Sequence, residues 1–367
     1  MVHRVVLLLY AVALLTASPS TAATNAASSA VRRALLYGFD YGTSGVRCCL
    51  IDSSTAAIVH EDALRWSDVL PAAPTATVTE QWGAAMQRLL ANTPEGLRPR
   101  VERICVSGTS STVLLYDAEA RAVSRQPRMY DFNVVQQCAD PAWGPRALAA
   151  IRKGCPIGSA ANAATSTLAK VLAWHYEAPV RASERLVHQA DYVVHYLSAA
   201  GDGDGTSTRA FTSDWHNALK LGYDVHRLEY PSWLLALLQD ELGVSSQAVA
   251  ALLPVVSEPG RPVAAVGAWV RDALGFSHPD CQVVAGTTDS IAAFLASGAD
   301  RPGQAVTSLG STVAVKLLSE RPVEDSARGV YSHRLGDRWL VGGASNVGCA
   351  VLRQARQPSA PPALAPL

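Results

Sequence analysis

The sequence carries no excess of charge: its 31 basic and 31 acidic residues cancel. That removes the electrostatic ground for expecting nucleic acid or an anionic membrane as a partner. Acidic residues are missing altogether before Asp40. The same stretch holds Arg4, the apolar run Val5–Leu15 and then "TASPSTAATNAASSAVRR". A basic start, a short apolar core and small residues read as a targeting presequence over roughly residues 1–33. Its Ser/Ala/Arg-rich, acid-free remainder reads as a transit peptide, so a plastid address is expected, with the secretory pathway or the cytoplasm as alternatives. The apolar run is too short to span a bilayer, so no membrane partner is expected of the mature chain. The seven cysteines include no Cys-x-x-Cys pair. Their odd number and strand-like settings argue for buried thiols over a disulfide framework or a zinc site. No Asn-x-Ser/Thr acceptor occurs either, and both absences lean toward a reducing compartment. There is no Gly-Lys-Ser/Thr loop, no Gly-x-Gly-x-x-Gly fingerprint and no Gly-x-Ser-x-Gly elbow. Walker, Rossmann and α/β-hydrolase readings therefore lack their motifs.

What is present is length and apolar content. The 367 residues are 49% hydrophobic and 17% charged, which suits two α/β domains with a large core. One device recurs along the chain. A buried-looking strand runs into a small turn of Gly, Thr, Ser and sometimes Asp, at 40–45, 107–111, 286–290, 310–312 and 342–346. "LLYGFDYGTSGVRCCLID" (35–52) reads as a hairpin with a tight Gly turn. "RICVSGTSSTVLLYD" (103–117) and "QAVTSLGSTVAVKLLS" (304–319) read as strand, turn and strand. "CQVVAGTTDSIAAFLASGA" (281–299) reads as strand, turn and helix, and "RWLVGGASNVGCAVLRQ" (338–354) as strand, Gly-Gly loop and helix start. "TSTLAKVLAWHYE" (165–177) and "HQADYVVHYLSAAG" (188–201) carry helical spacing. "GDGDGT" (201–206) holds two carboxylates but lacks the other ligands of a calcium loop and reads as solvated.

Glycine permits positive φ and close backbone approach. Consecutive N–H groups in such turns form an anion-binding nest, to which Thr and Ser hydroxyls add donors. The turn at 286–290 also opens a helix, whose N-terminus favours a phosphate. Asp40 and Asp289 stand in two of the turns and suit a hydrated Mg²⁺, which prefers few carboxylates and several waters. Any one such turn is an ordinary connector; the order of several is more specific.

That order resembles the FGGY carbohydrate kinases, in the D-ribulose or D-xylulose kinase-like branch of plants and cyanobacteria. The matching segments are "GFDYGTSGVRCCLID", "STLAKVLAW", "ADYVVHYLSAAG", "TSDWHNALKLGYDVHRLEYPSWL" (212–234), "VVAGTTDSIAAFLASGA" and "SLGSTVAVKLLS", spanning about 35–354. The resemblance implies an actin/Hsp70/hexokinase-like (ribonuclease H-like) α/β fold of two domains, with a cleft that closes on ATP and a small sugar. It implies phosphorylation of a ketopentose, most of all D-ribulose, with ATP and Mg²⁺, by direct transfer to a hydroxyl whose proton goes to a carboxylate.

Carried over by position, Asp214 is the expected general base; on its own, "TSDW" reads as a helix cap. Asp40, Gly42, Thr43 and Ser44 would handle Mg²⁺ and phosphate, with Arg47 reaching a phosphate or a surface acid. Gly286, Thr287, Thr288 and Asp289 would serve a second phosphate turn, and Gly310, Ser311 and Thr312 a third. Gly342, Gly343 and Asn346 fall where the family approaches adenosine. On the sugar side, Thr109 and Ser110 match by position, Tyr130 and Asp131 by an aromatic-Asp pair in "PRMYDF", and Trp215 as a stacking or core residue.

The expected domains are 34–229 on the sugar and phosphate side and 230–354 on the nucleotide side, followed by an Ala/Pro tail at 355–367. Four prolines in "ARQPSAPPALAPL" exclude a continuing helix. Family members continue well beyond this tail, so the resemblance implies an incomplete second domain. Two rival readings follow: a kinase-like protein that binds a sugar or partner without turnover, and a chaperone-like or actin-like ATPase of the same superfold. The sequence is silent on oligomeric state.

Overall fold

The structure is a computed structural model that describes residues 34–70, 76–198, 211–309, 313–325 and 328–345. The presequence, the 201–206 loop, Gly310–Thr312, Asn346 and the Ala/Pro tail lie outside the described residues. Contacts divide the chain after Gly298 into two compact units.

The first unit is built on a seven-stranded sheet. Its strands are β1 (Leu35–Tyr41), β2 (Gly45–Asp52), β3 (Ile58–Arg65), β4 (Val101–Gly108), then β10 (Pro262–Ala265), β11 (Gln282–Val284) and β12 (Thr287–Thr288). The order is β10-β11-β4-β1-β2-β3, with β12 also beside β4. β1 runs parallel to β4, and β4 parallel to β11 and β12; the hairpin β1–β2–β3 is antiparallel. A three-stranded antiparallel sheet takes the order β6 (Ala122–Arg128), β5 (Val113–Asp117), β7 (Glu184–His188). The short strands β8 (Thr212–Asp214) and β9 (Val255–Ser257) pair in parallel. Because β10 and β11 join the sheet of β1 and β4, the boundary expected near residue 229 falls inside this unit.

Period-two alternation explains the strength of the hairpin signal. Leu35, Tyr37, Phe39 and Tyr41 project to one face with Val46, Cys48 and Leu50, while Leu36, Cys49 and Cys105 share the other. Both faces are buried, so the strands read as nearly continuous apolar runs. The first face packs against α1 (Val78–Asn92) through Trp82, Met86 and Leu89. A second core gathers Val113, Leu115 and Leu186 under α2 (Trp143–Arg152), α3 (Thr167–Glu177) and later helices. Among the described residues, six buried or half-buried cysteine thiols are free. Helix α4 (Gln189–Leu197) follows β7, and α5 (Trp215–Ala218) follows β8 directly. Then come α6 (Ser232–Leu242), α7 (Ser246–Leu252) and α8 (Asp289–Leu295).

The second unit contains a four-stranded antiparallel sheet, ordered β13 (Ala305–Leu309), β14 (Val313–Ser319), β16 (Arg338–Ser345), β15 (Tyr331–Leu335). Here the expected Gly-Gly loop is corrected. Gly342 and Gly343 lie inside β16, paired with Lys316 and Val315. A Cβ on Gly342 would come within 2.8 Å of the Val315 carbonyl, so the glycine answers a close strand approach, not a turn.

Candidate functional site

The first unit brings its turns together at one edge of the sheet. Asp40 and Ser107 stand near the carboxyl ends of the parallel strands β1 and β4, and Thr287 opens the short parallel strand β12 beside them, with Asp40 facing Ser107 and Ser107 facing Thr287. Crevices at the carboxyl ends of parallel strands are where open α/β sheets bind ligands, because the outgoing loops and helix starts converge there.

At the end of β1, the Asp40 carboxylate accepts a 2.8 Å hydrogen bond from the Ser107 hydroxyl and lies 3.7 Å from the Arg47 guanidinium. Its side chain keeps 22% exposure. Burial pushes its pKa above the ordinary carboxylate value, against the opposing pull of Ser107 and Arg47. Thr43 and Ser44 are exposed at the tip of the hairpin, closed by the Gly42 N–H to the Gly45 carbonyl at 3.0 Å. Gly42 does not have positive φ, and a Cβ there would meet nothing nearer than 3.6 Å. The tight turn of the hairpin is thus made without a left-handed glycine.

Gly286 has a different reason to be glycine. An added Cβ would stand 2.3 Å from the Val106 carbonyl oxygen, so only glycine lets this turn lie against β4. Thr287 and Thr288 after it are buried. His216 locks the first of them: Trp215 donates its indole N–H to His216 Nε2 at 3.1 Å, so the imidazole proton sits on Nδ1, 2.7 Å from the Thr287 hydroxyl. Trp215, being buried and hydrogen-bonded in this way, is a core and positioning residue; sugar stacking would need an open ring face. Asp289 follows as the first residue of α8 and is half-buried. Its charge bears on the Tyr130 phenol and on the half-buried Lys220 ammonium, whose pKa burial lowers and Asp289 raises.

Asp214 does not sit as expected. It is 0% exposed, and it caps α5. One carboxylate oxygen accepts from the backbone N–H groups of His216 and Asn217 at 2.8 and 3.0 Å, and the other accepts from the Asn217 amide at 2.6 Å. Burial pushes its pKa up to about 7, helped by the charge of Asp191. A value near 7 suits a base, but geometry comes first: in this structure the carboxylate is enclosed and both of its oxygens are engaged by the cap. The cap reading of "TSDW" describes this residue.

On the sugar side, Thr109 is buried, with its backbone N–H and hydroxyl both donating to Gln189 Oε1 at 2.8 and 2.9 Å. Ser110 beside it is half-buried and remains the residue of this turn able to meet a ligand. Tyr130, at 41% exposure, and the exposed Asp131 follow the end of β6.

Four residues that the sequence reading passed over belong to this region: Ser107, His216, Lys220 and Lys170. Lys170 is 0% exposed on α3, and burial lowers its pKa to about 7. Its ammonium donates to the carbonyls of Ser111 and Met129 at 2.8 and 2.7 Å. The signal was a lone charge in the otherwise apolar helical run "TLAKVLAW", because lysine is seldom fully buried without partners. Among the described residues, no three His, Cys, Asp or Glu side chains cluster as a metal cage. Asp40 and Asp289, two carboxylates on elements in contact, fit only a largely hydrated Mg²⁺. No helix among the described residues is long and apolar enough to cross a membrane.

No family model matches the chain. Solved structures do. The xylulose kinase of Bifidobacterium adolescentis superposes with a TM-score of 0.69 at 21% identity, over 88% of this chain and 67% of that one. Ligand-bound xylulose kinase from Lactobacillus acidophilus gives 0.67 at 15%, over 88% and 62%. Glycerol kinase from Plasmodium falciparum, solved with ADP, gives 0.64 at 12%, over 88% and 63%. The chain thus spans a little under two thirds of the length of most of these proteins, and it has their two-domain actin/hexokinase-like α/β fold.

Proposed function

We propose that the protein is an ATP-dependent sugar kinase that phosphorylates a hydroxyl of a ketopentose such as D-ribulose or D-xylulose. One observation carries the reading. In a fold shared with xylulose kinases, Asp40 and Ser107, near the carboxyl ends of two parallel strands, meet the Thr287–Asp289 segment that runs beside them into a helix. The sugar hydroxyl attacks the γ-phosphorus of ATP; the new O–P bond forms as the bond to the β-phosphate oxygen breaks, and ADP leaves. The hydroxyl proton passes to a carboxylate. Asp289 fits that role better than Asp214, because it is only half-buried and its charge acts on Tyr130 and Lys220. Its neighbour Thr287, held by His216, and Asp40, held by Ser107, are preorganised by bonds made before any ligand arrives. Asp40 would hold a hydrated Mg²⁺, leaving Asp289 to take the proton; the ion when bound neutralises phosphate charge. In the second unit, Gly342 and Gly343 keep their proposed place near adenosine; the close strand approach leaves little bulk along β16.

The test follows ADP release by the full chain with Mg-ATP and D-ribulose, D-xylulose or no sugar, in parallel with Asp289→Asn. Sugar-dependent release abolished by that variant supports the proposal. Release that ignores the sugar points to a general ATPase. Sugar binding with no release points to a binding protein.

A further inference from the structure

Lys170 ties together two turns that are far apart in sequence. Its Nζ donates to the Ser111 carbonyl, in the turn after β4, and to the Met129 carbonyl, at the start of the Tyr130–Asp131 turn. Both oxygens therefore lie within 2.8 Å of one nitrogen. The second tie is reciprocal: Arg128 Nη1 donates to the backbone carbonyl of Lys170 itself at 3.0 Å. Arg128 is in turn held over the rings of Phe132 and Trp174 and paired with Glu177 at 2.8 Å. Residues 128 and 129 are thus clasped onto α3 from both sides.

The clasp has a strained partner. Ser111 adopts φ +65°, the left-handed region, with its side chain buried. A non-glycine residue holds that conformation only where its surroundings over-determine it, and the ammonium on its carbonyl supplies part of that constraint. A neutral apolar side chain would fill the same volume on α3 without donors. A charge that burial disfavours, kept at the junction of two turns, calls for a reason beyond packing.

We propose that Lys170 is a positioning residue that locks the Ser110 turn and the Tyr130–Asp131 turn into one surface, and that this surface selects the sugar by its hydroxyls. The inference rests on the kinase reading for its ligand, though not for the coupling of the two turns. Lys170 touches carbonyls and acts through Ser110, Tyr130 and Asp131, so its loss should weaken sugar recognition and spare the nucleotide.

The experiment compares the full-length protein with Lys170→Met, which keeps the chain length and removes the donors, and with Lys170→Gln, which restores an N–H donor on a shorter arm. Amide hydrogen exchange is read without ligand, and KM is read separately for D-ribulose, D-xylulose and ATP. The expected result for Lys170→Met is faster exchange confined to residues 109–112 and 129–133 and a sugar KM raised at least tenfold at unchanged ATP KM, with partial recovery in Lys170→Gln. Faster exchange throughout the first unit, or equal rises in sugar and ATP KM, would mean that Lys170 only supports the fold, and would overturn the proposal. Should Lys170→Met fail to fold, Arg128→Lys, which keeps the charge and removes the bidentate reach, must produce the same exchange pattern at 129–133 or the clasp is refuted. If the unmodified protein neither binds nor phosphorylates either sugar, the kinase reading and the ligand fall together, while exchange confined to the two turns would still establish their coupling.

Discussion

Replacing Asp214 by alanine separates a structural carboxylate from a catalytic one. Asp214 caps α5 and satisfies three buried donors: two backbone N–H groups and the Asn217 amide. Loss of an N-cap costs about 1–2 kcal/mol. Each buried donor left without an acceptor adds about 1–3 kcal/mol. Against these stands the relief from burying a carboxylate whose pKa burial has already driven up to about 7. Taken together, Asp214→Ala should lose on the order of 3 kcal/mol. For a unit of this size that corresponds to a Tm lower by about 6–10 °C. Thermal unfolding followed by circular dichroism, or calorimetry, reads this directly. Turnover per folded molecule at 20 °C should fall far less than in Asp289→Asn. A Tm within about 1 °C of the parent together with complete loss of turnover would refute the argument and return Asp214 to the chemistry.

Other outcomes follow from the same geometry. Asp289→Asn should abolish sugar-dependent ADP release by at least a hundredfold while leaving the Tm within about 2 °C, since Asp289 is half-buried at a helix start; a comparable melting loss would assign it to the fold. Asp214, with its folded pKa raised to about 7 from 3.8, favours the folded state fully below pH 3.8 and loses that contribution as pH rises toward 7. Urea titrations of the parent and Asp214→Asn should therefore diverge across that window and run parallel above it. Lys170 has the opposite sign: its folded pKa, lowered to about 7 from 10.5, gives a contribution present above pH 10.5 and lost as pH falls toward 7, so parent stability relative to Lys170→Met should climb between those limits. Gly286→Ala places a methyl 2.3 Å from the Val106 carbonyl and should destabilise the first unit by about 3 kcal/mol; an unchanged urea midpoint would show that the turn can move away from β4 freely.

The local elements were legible where the pattern was strong. The hairpin at 35–52, the strand-turn-strand at 103–117, the helices around Lys170 and Val193, and the strand-turn-helix at 281–295 all stand where periodicity and turn residues indicate. Each rests on contacts within a few residues, so the sequence carries the needed information locally. The gathering of Gly-Thr-Ser-Asp turns also had a sequence signal, because the same strand-end device repeats.

What the sequence by itself determined was the inventory: two buried central strands, a set of small polar turns at strand ends, and thiols placed for burial. Tertiary structure decided which of those groups face outward. Asp214 and Asp289 look alike in a string of letters, each a carboxylate at the start of a short helix, yet one is enclosed by His216 and Asn217 while the other is only half-buried, with its charge acting on Tyr130 and Lys220. Thr109 and Ser110 are neighbours, but pairing with Gln189, eighty residues on, buries only the first. Glycines chosen for backbone freedom prove to be glycines for want of space, at Gly286 against β4 and at Gly342 against β14. Lys170 reads as an oddity in an apolar helix until two distant carbonyls are brought to it. Exposure, hydrogen-bond partnership and close approach are set by segments remote along the chain, and only the packing of those segments assigns them.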